Sequence, residues 1–269
     1  MNISDKKKEL TKKSEYTFED LVDIVEILRS EEGCPWDREQ DHKSIRNGLI
    51  EETYEVIEAI DTENPALLRE ELGDVLLQVV FHARIEEEEE RFDMDDVAND
   101  ICAKLIHRHP HVFGDVLAES TDQVLSNWEQ IKSEEKSRVT VTDKLRSVPP
   151  MLPALMRATK VGKKASMFDF ETTELVMDKM AEEMVEVTEA IERGVQADVE
   201  EEIGDLLLTV TSLCRKLDVN AERALNDATD KFICRFDKVE KKVIEQNKDI
   251  KEMDIYELDT IWEQIKHNN

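Results

Sequence analysis

Apolar residues return every three or four positions over most of the chain. Between Phe18 and Arg29 they fall at Leu21, Ile24, Val25 and Leu28, one face of a helix. The stretch Gly33-Cys34-Pro35-Trp36-Asp37 predicts a short loop, after which helical spacing resumes near Ser44 and holds to about Ile60. Asn64-Pro65 then reads as a helix start, with Asn64 as cap and Pro65 at the first helical position, where its missing N–H costs nothing. The helix predicted from about Ala66 to Glu90 is almost wholly apolar between Val75 and Phe81, which predicts a core segment. Further helices are predicted from near Met94 to just before Pro110, and from Asp122 to Glu135. Residues 137–153 hold Val139-Thr140-Val141-Thr142 and the prolines Pro149, Pro150 and Pro153, a change of texture that predicts a linker. Helical patterning returns at Ala154 and runs to the end, with breaks at Phe168-Asp169-Phe170, near Gly194 and near Asp218-Val219-Asn220. No segment alternates convincingly as a strand. The expectation is an all-α protein of two helical-bundle domains, 1–136 and 154–269, joined by 137–153.

The two halves carry one pattern twice. Glu51, Glu52, Glu55, Glu71 and Asp74 recur 131 residues later as Glu182, Glu183, Glu186, Glu202 and Asp205. The words around them agree, Glu70-Glu71-Leu72-Gly73-Asp74 against Glu201-Glu202-Ile203-Gly204-Asp205. Lys104 and Arg108 find counterparts in Lys231 and Arg235, and Trp128-Glu129-Gln130-Ile131-Lys132 reappears from Trp262 to Lys266. A repeat of this length means two copies of one domain rather than a solenoid of short units.

A single Glu-Glu-x-x-Glu in an acidic helical chain is most often a solvated face. Spacing, location and repetition change that. Glu183 and Glu186 are three apart and project from one side of a helix, as do Glu202 and Asp205 on the next. A turn near Gly194 lets those helices run antiparallel, so both pairs face each other. Four carboxylates around one point suit a hard divalent ion, Mg²⁺ or Mn²⁺, which takes oxygen ligands and leaves positions open for water and phosphate. Met180, Met184, Val187 and Ile191 are expected to mark the buried side of the first helix, with Glu183 beside that stripe, while Glu202 and Asp205 open into Leu206-Leu207-Leu208-Thr209-Val210. Acids at the edge of a core are costly unless paired. Without a cation, at least one carboxyl should hold a proton. The structural alternative is a duplicated bundle with buried acid–base pairs.

Composition narrows the partners. A formal net charge of −28 repels nucleic acid polymers and anionic membranes, so neither is expected as a partner, and any phosphate site must bring its own cations. Only 7 glycines and 6 prolines in 269 residues favour long helices over sheets. The cysteines Cys34, Cys102, Cys214 and Cys234 form no Cys-x-x-Cys, which argues against zinc or redox motifs. No apolar run is long enough to span a membrane, and a cytoplasmic setting is expected. His107, His109 and His111 alternate, but Pro110 interrupts a helix there and no Cys or Asp completes a zinc site, so a structural role is favoured. Lys163-Lys164 reads as a solvated patch, the methionines as core filler, and no phosphate-cradling Gly-x-x-x-x-Gly-Lys loop is present.

These motifs resemble the MazG family of nucleoside triphosphate pyrophosphohydrolases, whose pattern is Glu-Glu-x-x-Glu, a spacer, then Glu-x-x-Asp. The likeness extends to Gly33-Cys34-Pro35-Trp36-Asp37, to the run Arg108–Gly114 and to the run Leu152–Ala158, and covers nearly the whole chain. It implies an all-α homodimer that converts an NTP or dNTP to the monophosphate and pyrophosphate, with broad base preference. It implies Mg²⁺, with Mn²⁺ as substitute, on Glu183, Glu186, Glu202 and Asp205. Glu182 and Glu201 would orient or deprotonate the attacking water, Lys179, Lys231 and Arg235 would grip phosphate oxygens, and Trp262 would sit near the nucleotide. Among these site residues the copies differ at Lys179, which corresponds to Gly48, so that cation is missing from the first copy. The resemblance implies that the C-terminal copy carries the main activity, in keeping with that missing cation, with Glu52, Glu55, Glu71 and Asp74 as a candidate second metal site. Two other readings are a hydrolase of the same superfamily with a narrow substrate (dUTP, dCTP or phosphoribosyl-ATP) and a non-enzymatic acidic interaction protein.

Overall fold

A computed structural model describes residues 2–117, 120–135 and 140–267, and among them every regular element is helical. Two compact units, Met1–Lys132 and Ser133–Asn269, are present. The first contains α1 (Ile3–Leu10), α2 (Phe18–Arg29), α3 (Pro35–Glu39), α4 (His42–Asp61), α5 (Pro65–Glu88), α6 (Met94–Arg108), α7 (Pro110–Phe113) and most of α8 (Thr121–Glu135). The second contains α9 (Val141–Arg146), α10 (Ala154–Lys164), α11 (Thr173–Arg193), α12 (Gln196–Lys216), α13 (Ala221–Glu245) and α14 (Ile255–His267). Among the described residues no helix is long and apolar enough to cross a membrane.

Local chemistry explains the helix starts. Thr17 and Asp20 form a reciprocal capping box at α2, as do Asp41 and Ser44 at α4 and Asp93 and Asp96 at α6. The Asn64 side chain accepts from the Ala66 and Leu67 N–H groups, and Pro65 opens α5 as the sequence predicts. The expected loop at 33–37 differs: Pro35 pre-sets a helical φ and Asp37 sits in the first turn, so α3 forms. The expected linker contains α9, capped by Thr140 with Asp143; residues 136–139, where the first boundary was placed, lie outside the described residues. A further break, between Glu245 and Ile255, is not legible in the apolar spacing.

In the first unit Val25, Val80, Phe81 and Ile85 are buried together, joining α2 to the C-terminal half of α5. In the second, Val239 and Val243 of α13 meet Ile261 and Ile265 of α14, with Trp262 packed against them. Each unit also holds a long helical hairpin, α4–α5 and α11–α12, which carries the acids. The buried line of α11 is Val176, Glu183 and Ala190. That corrects the expected stripe: Met184 and Ile191 are exposed, at 53% and 61%, so Glu183 lies on the buried line itself rather than beside it.

The two hairpin turns solve one problem differently. Gly194 closes α11 in the left-handed region, φ 70°, where a residue without Cβ is unstrained. Its counterpart in the repeat is Glu63, which holds φ 51° with a full side chain. A left-handed L-residue costs about 1–2 kcal/mol, partly offset because glycine frees the unfolded chain. Glu63→Gly is expected to stabilise the first unit by about 0.5–1 kcal/mol, read as a higher urea midpoint with unchanged slope; a lower midpoint would count against strain at Glu63.

Candidate metal and nucleotide site

On α11, one turn separates Lys179 from Glu183 and another separates Glu183 from Glu186, so all three line one side of the helix. Glu202 comes from α12, across the hairpin. Carboxylate oxygens of Glu183, Glu186 and Glu202 lie within 4.8 Å of one another, a spacing that could hold a metal ion. Asp205, expected as a fourth ligand, is exposed one turn further along α12 and is not in this group. Glu201 is exposed, and Glu182 faces out of α11.

The Lys179 ammonium stands among the acids, 2.8 Å from Glu182, 3.0 Å from Glu183 and 3.8 Å from Glu186. Hydrogen bonds to Glu182 and Glu183 push its pKa well above the usual lysine value. Burial raises the Glu186 carboxyl, with Lys179 opposing that and Glu183, Glu182 and Glu202 adding to it. Glu183 is only 4% exposed, and its second oxygen, Oε2, is buried with no hydrogen-bond partner. A buried carboxylate oxygen left unpaired is costly. A divalent cation at this spacing would satisfy it, so the donor set fits a hard metal ion. Sequence reasoning passed over Arg193, whose guanidinium lies 2.9 Å from Asp198 and 4.0 Å from Glu202 at the hairpin end. Its position in the last turn before Gly194 was the available signal.

The first copy repeats the carboxylates without the cation. Glu52, Glu55 and Glu71 form the second group of oxygens within 4.8 Å, and Asp74 is half-buried nearby. Among the described residues no lysine or arginine pairs with them. Burial, then Glu55, Asp74 and Glu71, push the Glu52 carboxyl up; burial and its acidic neighbours do the same to Glu71.

The remaining expected residues lie on α13 and α14. Lys231 is exposed, Arg235 is half-buried with its Nε enclosed and unpartnered, and Trp262 packs against Phe232 with ring centres 5.2 Å apart. Among the described residues no ion pair or hydrogen bond joins these three to the carboxylates. No histidine enters either metal-capable group; His109 bonds the Leu105 carbonyl at 2.6 Å and tilts against His111, a local structural role.

Two segments, residues 40–113 and 171–240, match the family described as the MazG nucleotide pyrophosphohydrolase domain, and they contain both acidic hairpins. The chain is 45% identical to the nucleoside triphosphate pyrophosphohydrolase/pyrophosphatase MazG of Thermotoga maritima, over 93% of this chain and 95% of that protein. It is 44% identical to the nucleoside triphosphate pyrophosphohydrolase of Escherichia coli strain K12, over 91% of this chain and 95% of that one. Against the protein YabN of Bacillus subtilis it is 40% identical over 93% of this chain and 52% of the longer relative. The chain belongs to the MazG family, with two copies of its domain.

Lys179 offsets part of the charge of the second cluster from within, so a divalent ion there has to compete with it. Lys179→Met should lower the melting temperature in metal-free buffer and enlarge the rise produced by MnCl₂; ligand at about 100 times its Kd contributes about 2.7 kcal/mol. A smaller Mn²⁺-induced rise than in the unaltered protein would show that the lysine is no competitor.

Proposed function

We propose that the second acidic hairpin is the working centre of a nucleoside triphosphate pyrophosphohydrolase that converts an NTP or dNTP and water to the monophosphate and diphosphate. The observation that carries this is Glu183: a buried carboxylate with an unpartnered oxygen, within reach of Glu186 and Glu202 and beside Lys179. In this reading Glu183, Glu186 and Glu202, with Asp205 at the open edge, hold Mg²⁺, for which Mn²⁺ can substitute. When bound, the metal neutralises charge on the triphosphate and on the departing diphosphate, the larger part of the barrier in phosphoryl transfer.

The chain's own residues supply the rest. Lys179 turns its ammonium from the acids to phosphate oxygens, and Lys231 and Arg235, four residues apart on α13, add cations that this chain of net charge −28 otherwise withholds from an anionic substrate. Water forms a bond to the α-phosphorus while the bond from that phosphorus to the bridging oxygen breaks. Glu201, exposed and without a cation at it among the described residues, takes the water proton, while Glu182, exposed on α11 and released as Lys179 turns to phosphate, orients the attack. Trp262 offers a ring face for the nucleotide, although its packing against Phe232 gives it a structural role as well. The first copy, Glu52, Glu55, Glu71 and Asp74, is a second metal site of lower catalytic value, since it lacks the lysine.

A second copy of the chain is the proposed partner. Met184, Val185 and Ile191 on α11 and Leu207 and Leu208 on α12 are each 48–61% exposed, an apolar surface that a dimer would cover. Membership of the MazG family sets aside the non-enzymatic reading, and broad base preference remains part of the proposal.

Labelled ATP with Mg²⁺ should yield AMP and diphosphate, and removal of the metal should abolish turnover; ADP and phosphate as products would contradict the reading. Glu183→Ala should reduce kcat by more than about 100-fold, beyond what outer-shell changes at metal sites cost, while Glu52→Ala leaves most activity. The opposite ranking would move the working centre to the first copy.

A further inference from the structure

Resting on that assignment of the working centre, we infer that Gln78 is what keeps the first acidic hairpin from acting like the second. Gly48 is the seventh residue of the twenty-residue helix α4, inside the helix, where glycine is unfavourable relative to alanine and needs a reason. The reason is a close approach. A Cβ at position 48 would lie 3.0 Å from Nε2 of Gln78, which reaches over from α5. In the repeat, Gly48 corresponds to Lys179 and Gln78 to Thr209. The second copy thus pairs a long cationic side chain with a short one, Thr209, only 7% exposed. The first copy pairs no side chain with a long neutral one.

The exchange is complementary in volume and opposite in electrostatic effect. The Gln78 carboxamide stands against the point from which a side chain at position 48 would leave and would have to give way to it, and its own Oε1 is buried without a hydrogen-bond partner. A neutral carboxamide with an unpaired acceptor is a poor filler for its own sake. The other members of the constellation are all present in the first half: Glu51, Glu52, Glu55, Glu71, Asp74, Lys104, Arg108 and Trp128. Arg108 lies over the Trp128 ring at 5.6 Å, so the basic helix and its aromatic partner are assembled there too. The first copy therefore lacks one ammonium group and the room to receive it. Position 48 supplies the first and position 78 the second, and neither change works alone.

The test uses the full-length chain with the second centre disabled by Glu183→Gln. Into it go Gly48→Lys, Gln78→Thr and both together. Two quantities are read with Mg²⁺: affinity for a triphosphate analogue whose α,β-bridging oxygen is replaced by methylene, and diphosphate release from ATP. The double variant should bind the analogue about tenfold tighter than the background, the scale of one added charge-assisted hydrogen bond, and should release diphosphate above it. Each single variant should do neither. A folded double variant that binds no better than the background overturns the inference, as does Gly48→Lys alone matching the double. Turnover surviving in Glu183→Gln alone would instead overturn the assignment of the working centre.

Should the double variant not fold, the reverse change gives the answer in the unaltered chain. Thr209→Gln should crowd Lys179 as Gln78 crowds position 48, raising the KM for ATP about tenfold. Thr209→Val, of similar size, should leave KM in place. An unchanged KM in Thr209→Gln overturns the inference.

Discussion

The constraint on which this protein turns is the cost of holding several carboxylates together on facing helices at the edge of a core. Two unit charges about 4 Å apart interact by roughly 4 kcal/mol at an effective dielectric near 20. A duplicated hairpin meets that cost twice and answers it in two ways. In α11–α12 an internal ammonium stands among the acids, and Glu183 stays buried with one oxygen uncommitted. In α4–α5 there is no such cation among the described residues, and burial together with mutual repulsion raises the Glu52 and Glu71 carboxyls. The same backbone thus carries one cluster whose charge is partly offset from within and one that depends wholly on an outside proton or ion.

That difference bears on how a strongly acidic chain can handle an anionic substrate. The overall field opposes a triphosphate, so attraction must be local and short in range. In the proposed reaction Lys179 provides it, since two of its present partners, Glu183 and Glu186, are carboxylates proposed to hold the metal. The lysine pairs with carboxylates in the free protein and binds phosphate in the proposed reaction.

Much of this was legible in the sequence, and the remainder failed for identifiable reasons. Helix starts at Asn64-Pro65 and the end at Gly194 are set by local chemistry, and local chemistry is written in consecutive residues. The repeat exposed both acidic hairpins and the missing cation at position 48. The apolar stripe through Met184 and Ile191 misled because periodicity identifies an oily face without saying what covers it; within the chain, the covered line is Val176, Glu183 and Ala190. The helix α9 was hidden by its setting among prolines, although Thr140 and Asp143 form a capping box there. The role of Gln78 could not be read at all, since it depends on the approach of two helices at one point.

The hairpin turns also act as a length standard. Glu71 follows Glu52 by nineteen positions, and Glu202 follows Glu183 by nineteen, although a left-handed glutamate makes one turn and a left-handed glycine the other. Each helical residue adds about 100° of rotation. One residue gained or lost at either turn would swing the second helix by more than a quarter of a revolution and carry its glutamate off the facing side. The turns can therefore change residue type but not length without parting the glutamates, and the spacing behaves like the tooth count of a gear: substitution wears the surface, but insertion disengages it.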